Sequence, residues 1–312
     1  MTEVNQVISN WRLEVGPDLT GARCVHSAMT LPLAYWVHNL SPFLVQFSDT
    51  VGIRYYGLAY LAGFAAGWYL LNSYGRKGLT ALNHERIADL MTALVIGVLV
   101  GGRLGYFLFY QPSELVRDPF IILRVWEGGM ASHGGFIGVA LALAWCARGF
   151  RMPWVHLSDL VSSVAPAGIF FGRIANFING ELWGRPTRVP WAVIFPESAR
   201  PGTPTILIEP RHPSQLYAAA LEGLLLLGLT QWLLWKTPWL RQKPGRITGV
   251  FLLAYAVVRS ITELYREPDA GLILGLTRGT FYSIFLVLGG LALLLLPSKP
   301  LPTLTPAEPT KS

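Results

Sequence analysis

Charge is scarce in this sequence. Of 312 residues, 14% are Asp, Glu, Lys or Arg and 52% are hydrophobic. A soluble globular domain carries about 25% charged residues, so a water-bathed fold is excluded. Cysteine is scarcer still: Cys24 and Cys146 are far apart, which excludes a disulfide framework, a zinc cluster or a CxxC redox pair. Cys146, inside an apolar run, reads as a small packing residue. The first 30 residues lack a basic start followed by an apolar core, so no signal peptide is expected there. Neither an internal repeat nor an interdomain linker is apparent, which favours one bundle. Lysine is confined to Lys77, Lys236, Lys243, Lys299 and Lys311.

Long apolar runs are abundant. Stretches of about 20 residues, enough to cross a hydrocarbon core of about 30 Å, fall at 52–71, 87–109, 130–149, 158–180, 213–235, 247–265 and 279–297. They predict an all-α polytopic membrane protein with seven transmembrane helices. Every lysine then lies on one face, joined by Arg76, Arg86, Arg148, Arg151, Arg241 and Arg246. The positive-inside rule makes that face cytoplasmic and puts the N-terminus outside. The net charge of +7 is thus a topology signal, and no nucleic-acid partner is expected.

The organisation expected is an extracytoplasmic N-terminal extension and interfacial segment over 1–50, a membrane domain over 51–297, and a disordered cytoplasmic tail over 298–312. Within 1–50, "LPLAYWVHNLSPFLVQF" (31–47) suits an interfacial helix. Segment 181–212, rich in Pro, Gly and β-branched residues, reads as a small irregular extracytoplasmic head with a strand pair.

Polar residues inside apolar runs are costly, from about 2.5 kcal/mol for a central charge on insertion scales. In "GRIANFINGELWG", Arg173, Asn176 and Asn179 recur at helical spacing and share a face, followed at once by Glu181. They either snorkel and glue helices together or line a polar cavity; three on one stripe favour the cavity. "AYAVVRSITELYREPD" repeats the device with Tyr255, Arg259, Glu263 and Arg266. Arg259 and Glu263 form an i,i+4 pair, but nothing nearby in sequence neutralises Arg173. Two intramembrane arginines with few carboxylates close by imply a missing anion, and the guanidinium fork suits a lipid phosphate. His133, before two glycines in "GMASHGGFIG", is either a structural hydrogen-bonder or a proton acceptor. Asp89 and Asp159 are expected near the starts of their own helices as structural carboxylates. Arg103 is open between lipid contact and ion pair. Arg54 and Glu222 are further polar residues at membrane depth. In "RHPSQLY", Pro213 and Ser214 mark a helix start, leaving Gln215 and Tyr217 to line a site.

Taken with "IRYYGLAYLAGF", "GGRLGY", "HPSQLY" and "YREPD", these pieces resemble the bacterial phosphatidylglycerol:prolipoprotein diacylglyceryl transferases. They follow the family order from about residue 51 to 285, roughly three quarters of the chain. The resemblance implies a seven-helix inner-membrane enzyme that moves the sn-1,2-diacylglyceryl group of phosphatidylglycerol onto the lipobox cysteine of a preprolipoprotein, releasing glycerol 1-phosphate. By motif it implies that His133, Arg173 and Arg259 are catalytic and that Asn176, Glu181 and Tyr56 serve the substrate. Tyr255 and Glu263, on the Arg259 stripe, are counted with the substrate-binding residues. Ala218, where an acidic residue is usual, and Arg278 and Thr280, where Met and Gln are usual, depart from the pattern.

In the chemistry expected, Arg173 and Arg259 grip the phosphodiester, His133 takes the thiol proton, and no metal or cofactor is required. An organic-anion transporter would also bury arginines, but no paired broken helices appear. A scramblase would need the same phosphate grip without transfer.

Overall fold

The computed structural model describes residues 35–48, 52–124, 128–268 and 271–297. The expectations for residues 1–30, Cys24 and the tail 298–312 lie outside the described residues. The chain opens with strands β1 (Trp36–Val37), β2 (Phe43–Gln46) and β3 (Gly52–Arg54), then helices α1 (Tyr55–Arg76), α2 (His84–Tyr110), α3 (Ser132–Phe150) and α4 (Trp154–Ile178). Strand β4 (Val193–Ile194) lies in an irregular segment before α5 (Ser214–Lys236), α6 (Arg246–Tyr265) and α7 (Arg278–Leu295). Helices α2, α4, α5, α6 and α7 are long and apolar enough to cross a membrane. Helices α1 and α3 occupy the other two predicted runs, diluted by glycine, tyrosine and tryptophan.

Two expectations are corrected. The segment read as an interfacial helix contains strands: β1 pairs in parallel with β4, and β2 pairs antiparallel with β3. Pro42 breaks a helical run, and Trp36 and Val37 gain a partner strand only from residues 193–194. The fold is therefore helical with short strands. The pairing expected inside 181–212 is present as antiparallel bridges of Pro186 and Val193 with Arg211, and β4 also joins that segment to residues 36–37.

The bundle has two unlike halves. At the end where α1 joins α2, α3 joins α4 and α5 leads into α6, Leu71, Tyr74, Leu90, Leu143, Leu157, Leu234 and Ile247 form a packed apolar core. At the opposite end lie His133, Arg173, Asn176, Glu181 and Arg259, whereas Asp89 and Asp159 stay at the core end. Helix α4 spans both halves, packing against α1, α5 and α6.

Glycine sets how closely the helices approach. Gly97, Gly101 and Gly105, four residues apart on α2, face Gly134 and Gly138 on α3. A Cβ at Gly97 would stand 2.6 Å from the Gly138 carbonyl oxygen, and one at Gly105 2.6 Å from the Gly134 Cα. Backbone contact of this kind replaces the hydrophobic drive that lipid cannot supply. Pro166 interrupts α4, where the missing N–H breaks the ladder. Next to it the Ser163 carbonyl accepts from Thr230 Oγ1 at 3.0 Å and Gln231 Nε2 at 2.8 Å, fastening α5 to the kink.

Asp159 does not serve the start of its own helix. Its buried carboxylate accepts from the backbone N–H of Gly245 and Thr248, each at 2.7 Å, and from Thr248 Oγ1 at 2.8 Å. It thereby caps α6, the helix carrying Arg259, where exposed N–H groups and the helix dipole favour a negative charge. Asp89 is likewise past the first turn of α2, whose cap is Asn83, accepting from Arg86 N–H.

Gly138→Ala is expected to cost about 1–3 kcal/mol through overpacking and to lower the thermal midpoint in detergent. Gly228→Ala on α5, where an added Cβ meets nothing within 4 Å, is the control and is expected to be neutral or stabilising. Equal midpoints for both would show that the α2–α3 approach can relax.

Candidate active site

Glycine and a left-handed turn explain the signature stretch. Helix α4 ends at Ile178, and Gly180 takes φ 67°, which costs glycine little. The Glu181 N–H then returns to the Asn176 carbonyl at 3.1 Å, closing a Schellman-type turn. This folds the Glu181 side chain back onto the helix, where Oε1 accepts from Asn176 Nδ2 at 2.8 Å and Asn179 Nδ2 at 3.4 Å. Leu182 follows at φ 58°, a strained conformation for a leucine. It is held because the Leu182 carbonyl accepts from Ser214 Oγ at 3.0 Å and the Glu181 carbonyl from Gln215 Nε2 at 2.6 Å. Ser214 therefore ties the turn to α5 and leaves the helix start uncapped by its side chain.

The missing anion is supplied from within the chain. Glu222 is 0% exposed. Its Oε2 accepts from Arg173 Nε at 3.2 Å and Nη2 at 2.8 Å; its Oε1 accepts from Arg259 Nη1 at 3.1 Å and Thr262 Oγ1 at 2.7 Å. Arg259 also pairs with Glu263, as the i,i+4 spacing predicts. Two arginines and two glutamates make the cluster formally neutral, so the expectation of few nearby carboxylates is corrected. Glu222 was visible in sequence as the one carboxylate in "AAALEGLLLLGL", but its partners sit 49 and 37 residues away. A π-helical turn, Ala219–Leu225, carries it. Such bulges recur at functional sites, and here one aims the carboxylate between α4 and α6.

Arg173 and Arg259 keep 19% and 13% side-chain exposure. What they expose lines a cleft shared with Leu182, Ser214, Gln215, Ala218, Thr262 and Arg266. The cleft is narrow, with a volume of about 10 Å³. On a neighbouring face of α4, Gly172 lines an apolar cavity of about 420 Å³ among α1, α2, α3 and α4, with Tyr56, Tyr60, Gly63, Phe64 and Phe136 in its wall. Consecutive residues thus face an apolar cavity and a cationic cleft. Tyr255 lies beside Arg173 and Glu222, whereas Tyr56 belongs to the cavity, its ring 5.4 Å from Tyr60.

His133 stands exposed in the first turn of α3, its ring edge-on to Tyr282 of α7 at 5.3 Å. One turn earlier on α7, Gly279 rests on Glu263 and Arg259; a Cβ there would stand 2.6 Å from the Glu263 carboxyl carbon. The start of α7 therefore links His133 to the ion cluster. It is fixed by Thr277, whose hydroxyl accepts the Thr280 N–H at 3.3 Å and bonds the Thr280 hydroxyl at 3.0 Å. Thr277 is the cap, and the unusual Thr280 adds only its hydroxyl's bond to that cap. The unusual Arg278 has no explanation in the structure.

Among the described residues Arg103 forms no ion pair. Buried, it donates to four backbone carbonyls, those of Ile121, Ile122, Arg124 and Gly129, at 2.6–3.2 Å. It clamps the loop that leads into His133, and nothing in its spacing foretold this. Arg54 lies over the Phe43 ring at 4.6 Å, away from the cleft. Tyr217, expected to be free for the site, accepts from Trp191 Nε1 at 2.7 Å and lies 3.1 Å from His212 Nδ1. Burial pushes the His212 imidazole down, consistent with Nδ1 accepting from the tyrosine.

Fold and site together define a multi-pass membrane protein whose buried ion cluster opens beside an apolar cavity, an arrangement suited to chemistry on an anionic lipid. Residues 42–296 match the family described as prolipoprotein diacylglyceryl transferase. The chain is 43% identical over 281 residues to the phosphatidylglycerol–prolipoprotein diacylglyceryl transferase of Cereibacter sphaeroides, covering 82% of this chain and 96% of that one. It is 46% identical over 242 residues to the protein of the same name from Ruegeria pomeroyi, covering 74% and 82%. For that of Gluconacetobacter diazotrophicus the figures are 42% over 283 residues, 88% and 97%. The chain belongs to the prolipoprotein diacylglyceryl transferase family, and it is a transferase of that class.

Removing Glu222 takes the ion-pair partner from Arg173 and leaves Arg259 with Glu263 alone. Glu222→Ala is expected to cost about 3–5 kcal/mol, seen as a lower thermal midpoint and poor recovery from membranes. An unchanged midpoint would mean that the arginines reach water without it.

Proposed function

We propose that the chain transfers the sn-1,2-diacylglyceryl group of phosphatidylglycerol to the lipobox cysteine thiol of a preprolipoprotein. The carrying observation is that Gly172 and Arg173 put an apolar cavity and a two-arginine cleft on neighbouring faces of one helix. An acyl chain suits the cavity, and a phosphodiester suits the guanidinium forks. Because Glu222 already holds both arginines, they are oriented before the lipid arrives. The phosphate widens the cleft and draws on their outward N–H groups while the carboxylates keep the forks in place.

The reaction then needs one bond made and one broken. His133 takes the proton of the cysteine thiol, and the sulfur attacks the glyceryl carbon that bears the phosphate ester. The carbon–sulfur bond forms as the carbon–oxygen bond breaks, and the electron pair leaves on the phosphate oxygen as glycerol 1-phosphate. Arg173 and Arg259 stabilise the charge growing on that oxygen, an effect that preorganised donors supply most strongly. Tyr255 and Glu263 orient the arginines, and Asn176 holds Glu181 so that its backbone presents Gln215 to the headgroup. Tyr56 marks the mouth of the acyl cavity. The reaction itself calls for no metal, since the guanidinium groups provide the cationic stabilisation.

For the setting, the reading is the bacterial inner membrane with α1 to α7 all crossing. The lysine-bearing loops face the cytoplasm, and residues 181–212 form the extracytoplasmic head. This places the cleft and His133 on the outer side, where a lipobox cysteine would be presented.

Purified protein incubated with glyceryl-labelled phosphatidylglycerol and a lipobox peptide is expected to move label onto cysteine; label that stays in lipid would sink the proposal in favour of a binding or scrambling protein. Arg173→Lys keeps the charge but loses the fork, and is expected to lower transfer about 100-fold or more. His133→Gln is expected to lower it by about 100-fold or more, and full activity at neutral pH would remove His133 as the base.

A further inference from the structure

Gln215 is the residue of the cleft whose chemistry is unfinished. It is 2% exposed and lines the cleft together with Arg173, Arg259 and Arg266. Its carboxamide orientation is set by the Nε2–H donated to the Glu181 carbonyl at 2.6 Å. That leaves Oε1 as a buried acceptor without a hydrogen-bond partner among the described residues. Buried polar atoms are nearly always paired, because an unpaired one forfeits its hydration without return. The Glu181 carbonyl it donates to is held by the Schellman-type turn at Gly180 and by Ser214 on Leu182, so the amide turns only by giving up that hydrogen bond.

An acceptor beside arginines cannot serve a phosphodiester, which brings oxygen lone pairs and no proton. It needs a donor carried on the same ligand. We propose that Gln215 selects the lipid headgroup, its Oε1 accepting a hydrogen bond from a headgroup hydroxyl while the arginines take the phosphate. This rests on the transfer reading above and names the feature of the lipid that the cleft recognises. The combination favours a polyol phosphodiester. An ethanolamine headgroup would bring an ammonium against the guanidinium groups, choline has no N–H to donate, and a plain alkyl ester leaves Oε1 unpaired. Sites that bury a group to meet a substrate hydroxyl reject analogues lacking it far more strongly than apolar pockets discriminate a methylene.

The test compares phosphatidylglycerol with phosphatidylethanol, which carries the same charge and acyl chains but no headgroup hydroxyl. Wild-type protein and Gln215→Leu are compared in transfer to a lipobox peptide and in lipid retention by native mass spectrometry. Gln215→Leu is expected to lower kcat/KM and retention for phosphatidylglycerol about tenfold or more while changing those for phosphatidylethanol less than about twofold, so that the wild-type preference disappears. Equal losses for both lipids would reduce Gln215 to a support for the Glu181 turn and overturn the proposal, as would an unchanged preference. If neither lipid is a donor for the wild type, the transfer reading fails; retention alone then decides headgroup selection, by the same comparison.

Discussion

Glu222 is the constraint on which the site depends. A carboxylate sealed from water between two guanidinium groups is stable only if both stay close, because either charge left alone would be costly at that depth. The requirement locks α4, α5 and α6 together at one height and explains why α5 departs from α-helical winding around residues 219–225. It also makes the cluster neutral as a whole while leaving outward-facing N–H groups. In the proposed reaction the phosphate would meet arginines that already have a competing anion in Glu222.

Around that lock the other polar residues are arranged in tiers. Asp159 caps α6 from the far half of the bundle and so anchors the helix that carries Arg259. Asn176 and Asn179 hold Glu181, which aligns its own carbonyl with Gln215. Arg103 gathers four loop carbonyls and fixes the approach to α3. Among the described residues His133 is linked to the cluster through α7, by way of Tyr282 and Gly279. Only a few of these residues face the cleft; the rest hold the backbone that presents them.

The two halves of the bundle are built differently. One end is an apolar core of leucine, isoleucine and tyrosine. The apolar cavity among α1, α2, α3 and α4 shares Met91, Leu94 and Val164 with that core, and glycine-on-glycine packing draws α2 and α3 together beside it. Lipid drives no helix association through the hydrophobic effect, so backbone contact and buried hydrogen bonds carry the assembly.

Composition and periodicity determined a membrane protein of apolar helices, the stripes of Arg173 and Arg259, and the pairing of Arg259 with Glu263, because all of these are set within one helix by its repeat. The end of α4 at Asn179–Gly180 was legible for the same local reason. Partners far apart in the chain were not. Glu222 was a lone carboxylate until three helices met on it, Arg103 had no visible ligand until a loop folded over it, Asp159 capped a helix that begins 87 residues later, and residues 36–37 had no reason to be a strand until 193–194 came alongside. Spacing along one chain encodes which residues share a face. Which opposite charge or carbonyl that face will meet is decided only when tertiary packing removes water and leaves each buried group a single partner within reach.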